Sequence, residues 1–127
     1  MNLFHLKVTK MPAILRLHPG PRYSEASIHA GTIYLAGQVP TDTAQDIEGQ
    51  TREVLAMVER LLREAGSDKS HILMAQLYLA DMADYAGMNK VWDQWVVAGS
   101  APPRATVQAQ LADPAWRIEV LVTAALP

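Results

Sequence analysis

SHILMAQLYLA, Ser70–Ala80, holds apolar residues at nearly every position and no proline or glycine. Ile72, Met74, Gln76 and Tyr78 fall on one side of an extended chain; Leu73, Ala75, Leu77 and Leu79 fall on the other. A run apolar on at least one face and partly on both predicts a strand inside a sheet rather than at its rim. The neighbouring segments must then supply more strands and the layer that covers them.

Upstream, Val54, Leu55, Val58, Leu61, Leu62 and Ala65 recur at helical spacing, opposite Arg52, Glu53, Glu59, Arg60, Arg63 and Glu64. That pattern predicts an amphipathic helix, with Thr43-x-x-Asp46 as its start signal and Gly66 as its stop. Downstream, Asp81 and Asp84 mark the start of a second helix and Gly99 its end. Its apolar stripe is Tyr85, Met88, Val91, Trp92, Trp95 and Val96, and Asn89 sits among apolar neighbours. Before the first helix, Ala13–Leu17 reads as a strand ended by His18-Pro19-Gly20-Pro21. Ser27–His29 and Thr32–Ala36 read as a hairpin turning at Ala30-Gly31. After the second helix, Arg104–Gln110 and Arg117–Ala124 read as strands joined by LADPAW.

The order β-ββ-α-β-α-ββ predicts an α+β fold, a mixed sheet of about six strands with both helices on one face. In the last strand Ile118, Val120, Val122 and Ala124 should face the helices, leaving Arg117, Glu119, Leu121 and Thr123 outward. Charge mixed with leucine on that outer face points to a subunit interface. Residues 11–127 are read as one domain and residues 1–10 as an N-terminal extension.

Composition narrows the function. A net charge of −2 gives no basic face for nucleic acid. No apolar stretch is long enough to span a membrane. The chain has no cysteine, which removes thiolate chemistry and disulfides and favours a cytoplasmic setting. His5, His18, His29 and His71 lack metal-ligand spacing, so no metal site is expected. There is no Gly-rich or Walker phosphate cradle, and no serine–histidine pair of the nucleophile-elbow kind.

Arg104 is the conspicuous polar residue. It follows Pro102-Pro103 at the mouth of a predicted strand, so its backbone is restrained, and its planar fork suits a carboxylate. It either forms a salt bridge, with Glu119 for instance, or holds a ligand. Glu119 is placed in the antiparallel neighbour of the Arg104 strand, where the two would share a cavity. It either pairs structurally or activates water.

YLAGQVP, QTREVLAMVERLLREAGS, LYLADMADYAGMNKVWDQW, PPRATVQ and RIEVLVTAA together resemble the RidA (YjgF-type) family of reactive-intermediate deaminases, and MNKVWDQWVVAG its YoaB-like branch. The resemblance implies a chorismate-mutase-like fold and a homotrimer whose sites lie between subunits. It implies hydrolysis of reactive 2-imino and enamine acids to 2-keto acids and ammonia, without cofactor. Carried over residue by residue, Arg104 holds the substrate carboxylate and Glu119 positions the attacking water; Tyr23, Gly37, Asn89 and Thr106 line the substrate. Ala36 stands where the family commonly has serine, Thr106 where it has cysteine, and the connection after QVP is shorter. A non-catalytic carboxylate binder or chaperone on the same trimer is the alternative. Chorismate-mutase chemistry would need further arginines, for which only Arg22 and Arg117 are near.

Overall fold

The computed structural model describes residues 12–127; the expected extension over residues 1–10 lies outside them. Six strands and two helices follow in the expected order. These are β1 (Leu15–Leu17), β2 (Ala26–His29), β3 (Thr32–Leu35), α1 (Ile47–Glu64), β4 (Ile72–Leu79), α2 (Tyr85–Trp95), β5 (Arg104–Gln108) and β6 (Ile118–Ala125). They form one sheet in the order β1-β2-β3-β6-β4-β5. Every pairing is antiparallel except β4 with β5, which is parallel. A parallel pair requires a crossover, and α2 supplies it between β4 and β5.

The sheet is buried on one face only. Ile118, Val120, Val122 and Ala124 of β6 are buried, as are Ala75, Leu77 and Leu79 of β4, packed with Val54, Leu55, Val58 and Leu62 of α1. The alternation expected in β4 fails at its start. A bulge between Ile72 and Met74 lets Ile72 turn inward and leaves Leu73 and Met74 both exposed. A bulge inserts one residue and so reverses the facing of everything on one side of it. The open face therefore presents Tyr34, Leu73, Met74 and Val107, each between 41% and 53% exposed.

Local chemistry sets the boundaries. Ala30 (φ 50°) and Gly31 (φ 84°) form the two-residue turn of the β2–β3 hairpin, a geometry that needs positive φ at both positions. α1 starts at Ile47, later than the Thr43 signal suggested. Asp46 caps it, its Oδ1 accepting from the Gly49 N–H at 2.9 Å. At the other end Gly66 (φ 93°) reverses the chain, with Gly66 N–H donating to Arg63 and Ser67 N–H to Leu62. Asp81 caps a 3₁₀ turn, Met82–Asp84, rather than α2 itself. α2 ends at Trp95, short of Gly99.

One buried amide ties α1 to β6. Gln50 is fully buried; its Nε2 donates to the carbonyl of Ala115 at 3.2 Å, and its Oε1 accepts from the Arg117 N–H at 2.8 Å. Its further donation to Gln45 O at 3.3 Å holds the approach to the helix. In sequence it reads as one more polar helix residue. Gln50→Leu leaves the Arg117 N–H and Ala115 carbonyl unpaired in the interior, where each orphan costs about 1–3 kcal/mol. Thermal or urea unfolding of this variant is expected to show a loss of about 2–4 kcal/mol.

The short connection after Pro40 is organised by Glu53. Its carboxylate accepts from the Thr41 hydroxyl, from the N–H groups of Thr41 (3.1 Å) and Asp42 (3.2 Å), and from Gln45 Nε2 (3.0 Å). The Thr41 hydroxyl is the main cause that lowers the Glu53 pKa. The anchoring is therefore full above the ordinary value of 4.5 and fades as the pH falls through the lowered one.

Candidate functional site

Pro103 and β5 deliver Arg104 to the sheet edge beside Ala75, its register partner in β4. Paired residues share a face, and Ala75 is buried, so Arg104 points toward the helices. There it meets Tyr85, Met88, Asn89 and Trp92, residues that α2 stacks along one side. Arg104 Nη1 donates to Asn89 Oδ1 at 2.8 Å and Nη2 to Tyr85 Oη at 3.3 Å. The guanidinium carbon lies 5.1 Å from the Trp92 ring centroid and 5.9 Å from that of Tyr85. Among the described residues no carboxylate comes within ion-pair distance of Arg104. The guanidinium is oriented by neutral groups while its charge stays uncompensated.

Thr106, two residues along β5, faces the same way as its register partner Leu77. Its hydroxyl is buried without a hydrogen-bond partner. Arg104, Asn89 and Thr106 thus form one cluster, to which the structure adds Tyr85 and Trp92. Both belong to the apolar stripe of the helix, yet Tyr85 is 39% exposed. The signal was present as the spacing Tyr85–Asn89–Trp92, i, i+4 and i+7, which lines one helix face.

Glu119 is elsewhere. β6 is separated from β5 by β4, so the antiparallel neighbour expected for the Arg104 strand is not β6. Glu119 is paired with Tyr78, three residues along β4 from Ala75, and faces the open side. Strand spacing and rise put its backbone roughly 14 Å from that of Arg104, on the opposite face of the sheet. No salt bridge joins them. Arg117, just before β6, pairs with Asp84 at 3.3 Å.

What Glu119 does meet is Gly37. Gln38 bridges Val120 of β6, bringing Gly37 beside Glu119. A methyl group on Gly37 would fall 2.1 Å from Glu119 Oε2. Gly37 and Tyr23 also line one cavity of about 470 Å³, which Glu25, Gln38, Arg60 and Leu61 help enclose. Gln38 is buried and its amide donates to Glu25 Oε2 at 3.1 Å, a polar pair that no motif or spacing singles out. The six expected site residues fall into two groups in one chain: Arg104, Asn89 and Thr106 on one side, Tyr23, Gly37 and Glu119 on the other. Among the described residues no group of three or more histidines and carboxylates is placed to hold a metal ion. No helix in them is long and apolar enough to cross a membrane.

Residues 13–126 match the family model described as Endoribonuclease L-PSP. The chain is also 45% identical over 113 residues to the RutC family protein YoaB of Escherichia coli, covering 89% of this chain and 98% of that one. The chain belongs to the RidA (YjgF-type) family. A RutC family protein of Haemophilus ducreyi is 49% identical over 113 residues, 89% of this chain and 97% of the relative. NMB1025, a member of the YjgF protein family from Neisseria meningitidis, has a solved structure that superposes with a TM-score of 0.90 at 48% identity. It covers 93% of this chain and 98% of the other. The mixed six-stranded sheet with two helices is therefore the RidA-family fold, and a general RidA-type role follows from membership. Within that family the chain carries Ala36 and Thr106 at the two departures noted from sequence.

Proposed function

We propose that this RidA-family chain hydrolyses reactive 2-imino acids and their enamine tautomers to 2-keto acids and ammonia, in a homotrimer whose sites lie between copies. The observation that carries the reading is Arg104, a fixed guanidinium with no carboxylate of its own. A small acid supplies the missing charge, and the planar fork orients it bidentately.

The chemistry asks little beyond that. With the carboxylate on Arg104, the imine carbon is held in place while water adds to it. Glu119 takes a proton from the attacking water as the C–O bond forms, and the imine nitrogen gains a proton. The tetrahedral carbinolamine then collapses: the C–N bond breaks, ammonia leaves, and the carbonyl of the keto acid forms. An enamine first takes a proton on its β-carbon to become the imine. Positioning and general-base help suffice for a reaction that already proceeds in water.

Because Glu119 and Arg104 lie on opposite faces of one sheet, such a site needs the Glu119 side of one copy to approach the Arg104 side of another. The exposed apolar side chains of the open face, Tyr34, Met74 and Val107 among them, support burial against further copies. A cysteine-free chain and a freely diffusing substrate suit a cytoplasmic setting.

The test generates imino acids from several amino acids with an amino acid oxidase, in the presence of semicarbazide as a competing trap. The wild-type protein is expected to divert imine from semicarbazone to free keto acid and ammonia in equal amounts. If no imine is diverted for any side chain while 2-keto acids still bind, the chain is a carboxylate binder instead, and the catalytic reading is overturned.

A further inference from the structure

The contacts of Arg104 leave one group unexplained. Tyr85 opens α2, and its hydroxyl oxygen accepts from Arg104 Nη2 at 3.3 Å. Having accepted there, the phenol keeps its own hydrogen, and among the described residues it donates to no acceptor. A tyrosine at this place could have been a packing residue, but its 39% exposure argues against that. The phenol stands at the open end of the guanidinium, with its ring against the cation.

We propose that the Tyr85 hydroxyl donates directly to the substrate carboxylate bound by Arg104, making Tyr85 a binding residue that selects anionic 2-imino acids. The inference rests on the deaminase reading above. Of the five N–H donors of Arg104, Asn89, Met88 and Tyr85 take one each, and two remain for a ligand. A carboxylate offers about four acceptor positions on its two oxygens, so the fork does not exhaust it. The free O–H of Tyr85, on an oxygen already polarised by the guanidinium, meets that surplus. Asn89 accepts from one arm of the arginine and Tyr85 from the other, and the Tyr85 hydroxyl still has its own hydrogen to give.

The test is Tyr85→Phe, which keeps the ring, its helix position and its contact with the cation. Hydrogen bonds to charged groups are strong enough that KM for the 2-imino acid is expected to rise about tenfold. The dissociation constant of the product 2-keto acid, measured by calorimetry, should rise by the same factor, with kcat within about twofold of wild type. A residue that merely braced Arg104 would also weaken keto acid binding, but with a lowered melting temperature of the ligand-free protein; that result overturns the proposal. Arg104→Ala separates the two readings. If it loses imine hydrolysis while Tyr85→Phe matches wild type in KM and keto acid binding, the role of Tyr85 fails and the deaminase reading stands. If Arg104→Ala hydrolyses imines as wild type does, the deaminase site itself is misplaced and both fall.

Discussion

Arg104→Ala is expected to remove nearly all imine hydrolysis, lowering kcat/KM by about 10²–10⁴ while the fold survives. Two charge-assisted hydrogen bonds to a carboxylate, at roughly 1.5–3 kcal/mol each, account for that range at 1.36 kcal/mol per tenfold. The loss should be confined to function, because Arg104 neutralises no carboxylate among the described residues. Truncation sacrifices the 2.8 Å bond to Asn89 and the stacking on Trp92, and the half-buried site opens to water. A destabilisation of no more than about 2 kcal/mol is expected from the melting curve. Arg104→Lys keeps the charge but not the fork, so it should restore only part of the activity. The semicarbazide competition assay reads all three proteins side by side. Wild-type activity in Arg104→Ala would dismiss the arginine as the carboxylate anchor.

Gly37→Ala is expected to be nearly as damaging by a different route. Gly37 carries no positive φ that would strain an alanine backbone. The added methyl instead meets Glu119, 2.1 Å from Oε2 and 3.0 Å from Cδ. The carboxylate is the mobile end of its side chain, so it swings aside rather than disrupting the sheet. Stability should fall by about 1 kcal/mol or less, while displacement of a general base costs about 10²-fold in kcat. Glu119→Gln should then show a similar kcat, and the double variant should be no worse than either alone, since both remove one function. A fully active Gly37→Ala would mean that the position of Glu119 is immaterial.

Much of the fold was legible because it is written in periodicity. The stripe of α1, the alternation of β6 and the Ala30-Gly31 turn all follow from spacing, and the faces assigned to β6 match its burial residue for residue. What spacing cannot supply is strand order. The parallel docking of β5 on β4 depends on the crossover through α2, and without it Glu119 was set beside Arg104. The bulge at Ile72–Met74 is equally silent in sequence, since Leu73 and Ile72 are chemically alike and only the ladder distinguishes them. At the site, Arg104, Glu119 and Asn89 stood out in the sequence itself and Gly37 only through resemblance, and their contacts give that list physical content. Tyr85 was missed because an aromatic on a helix stripe is usually core; its 39% exposure separates it from Trp92.

The division of the six residues between two sides of one chain reaches into genetics. In the proposed ring every copy lends its arginine to one site and its glutamate to another, so no chain owns the chemistry it performs. A copy lacking both groups silences two sites, whereas copies damaged at different groups rebuild a whole site wherever their intact halves meet. Two null alleles, one at Arg104 and one at Glu119, would then be partly functional when inherited together.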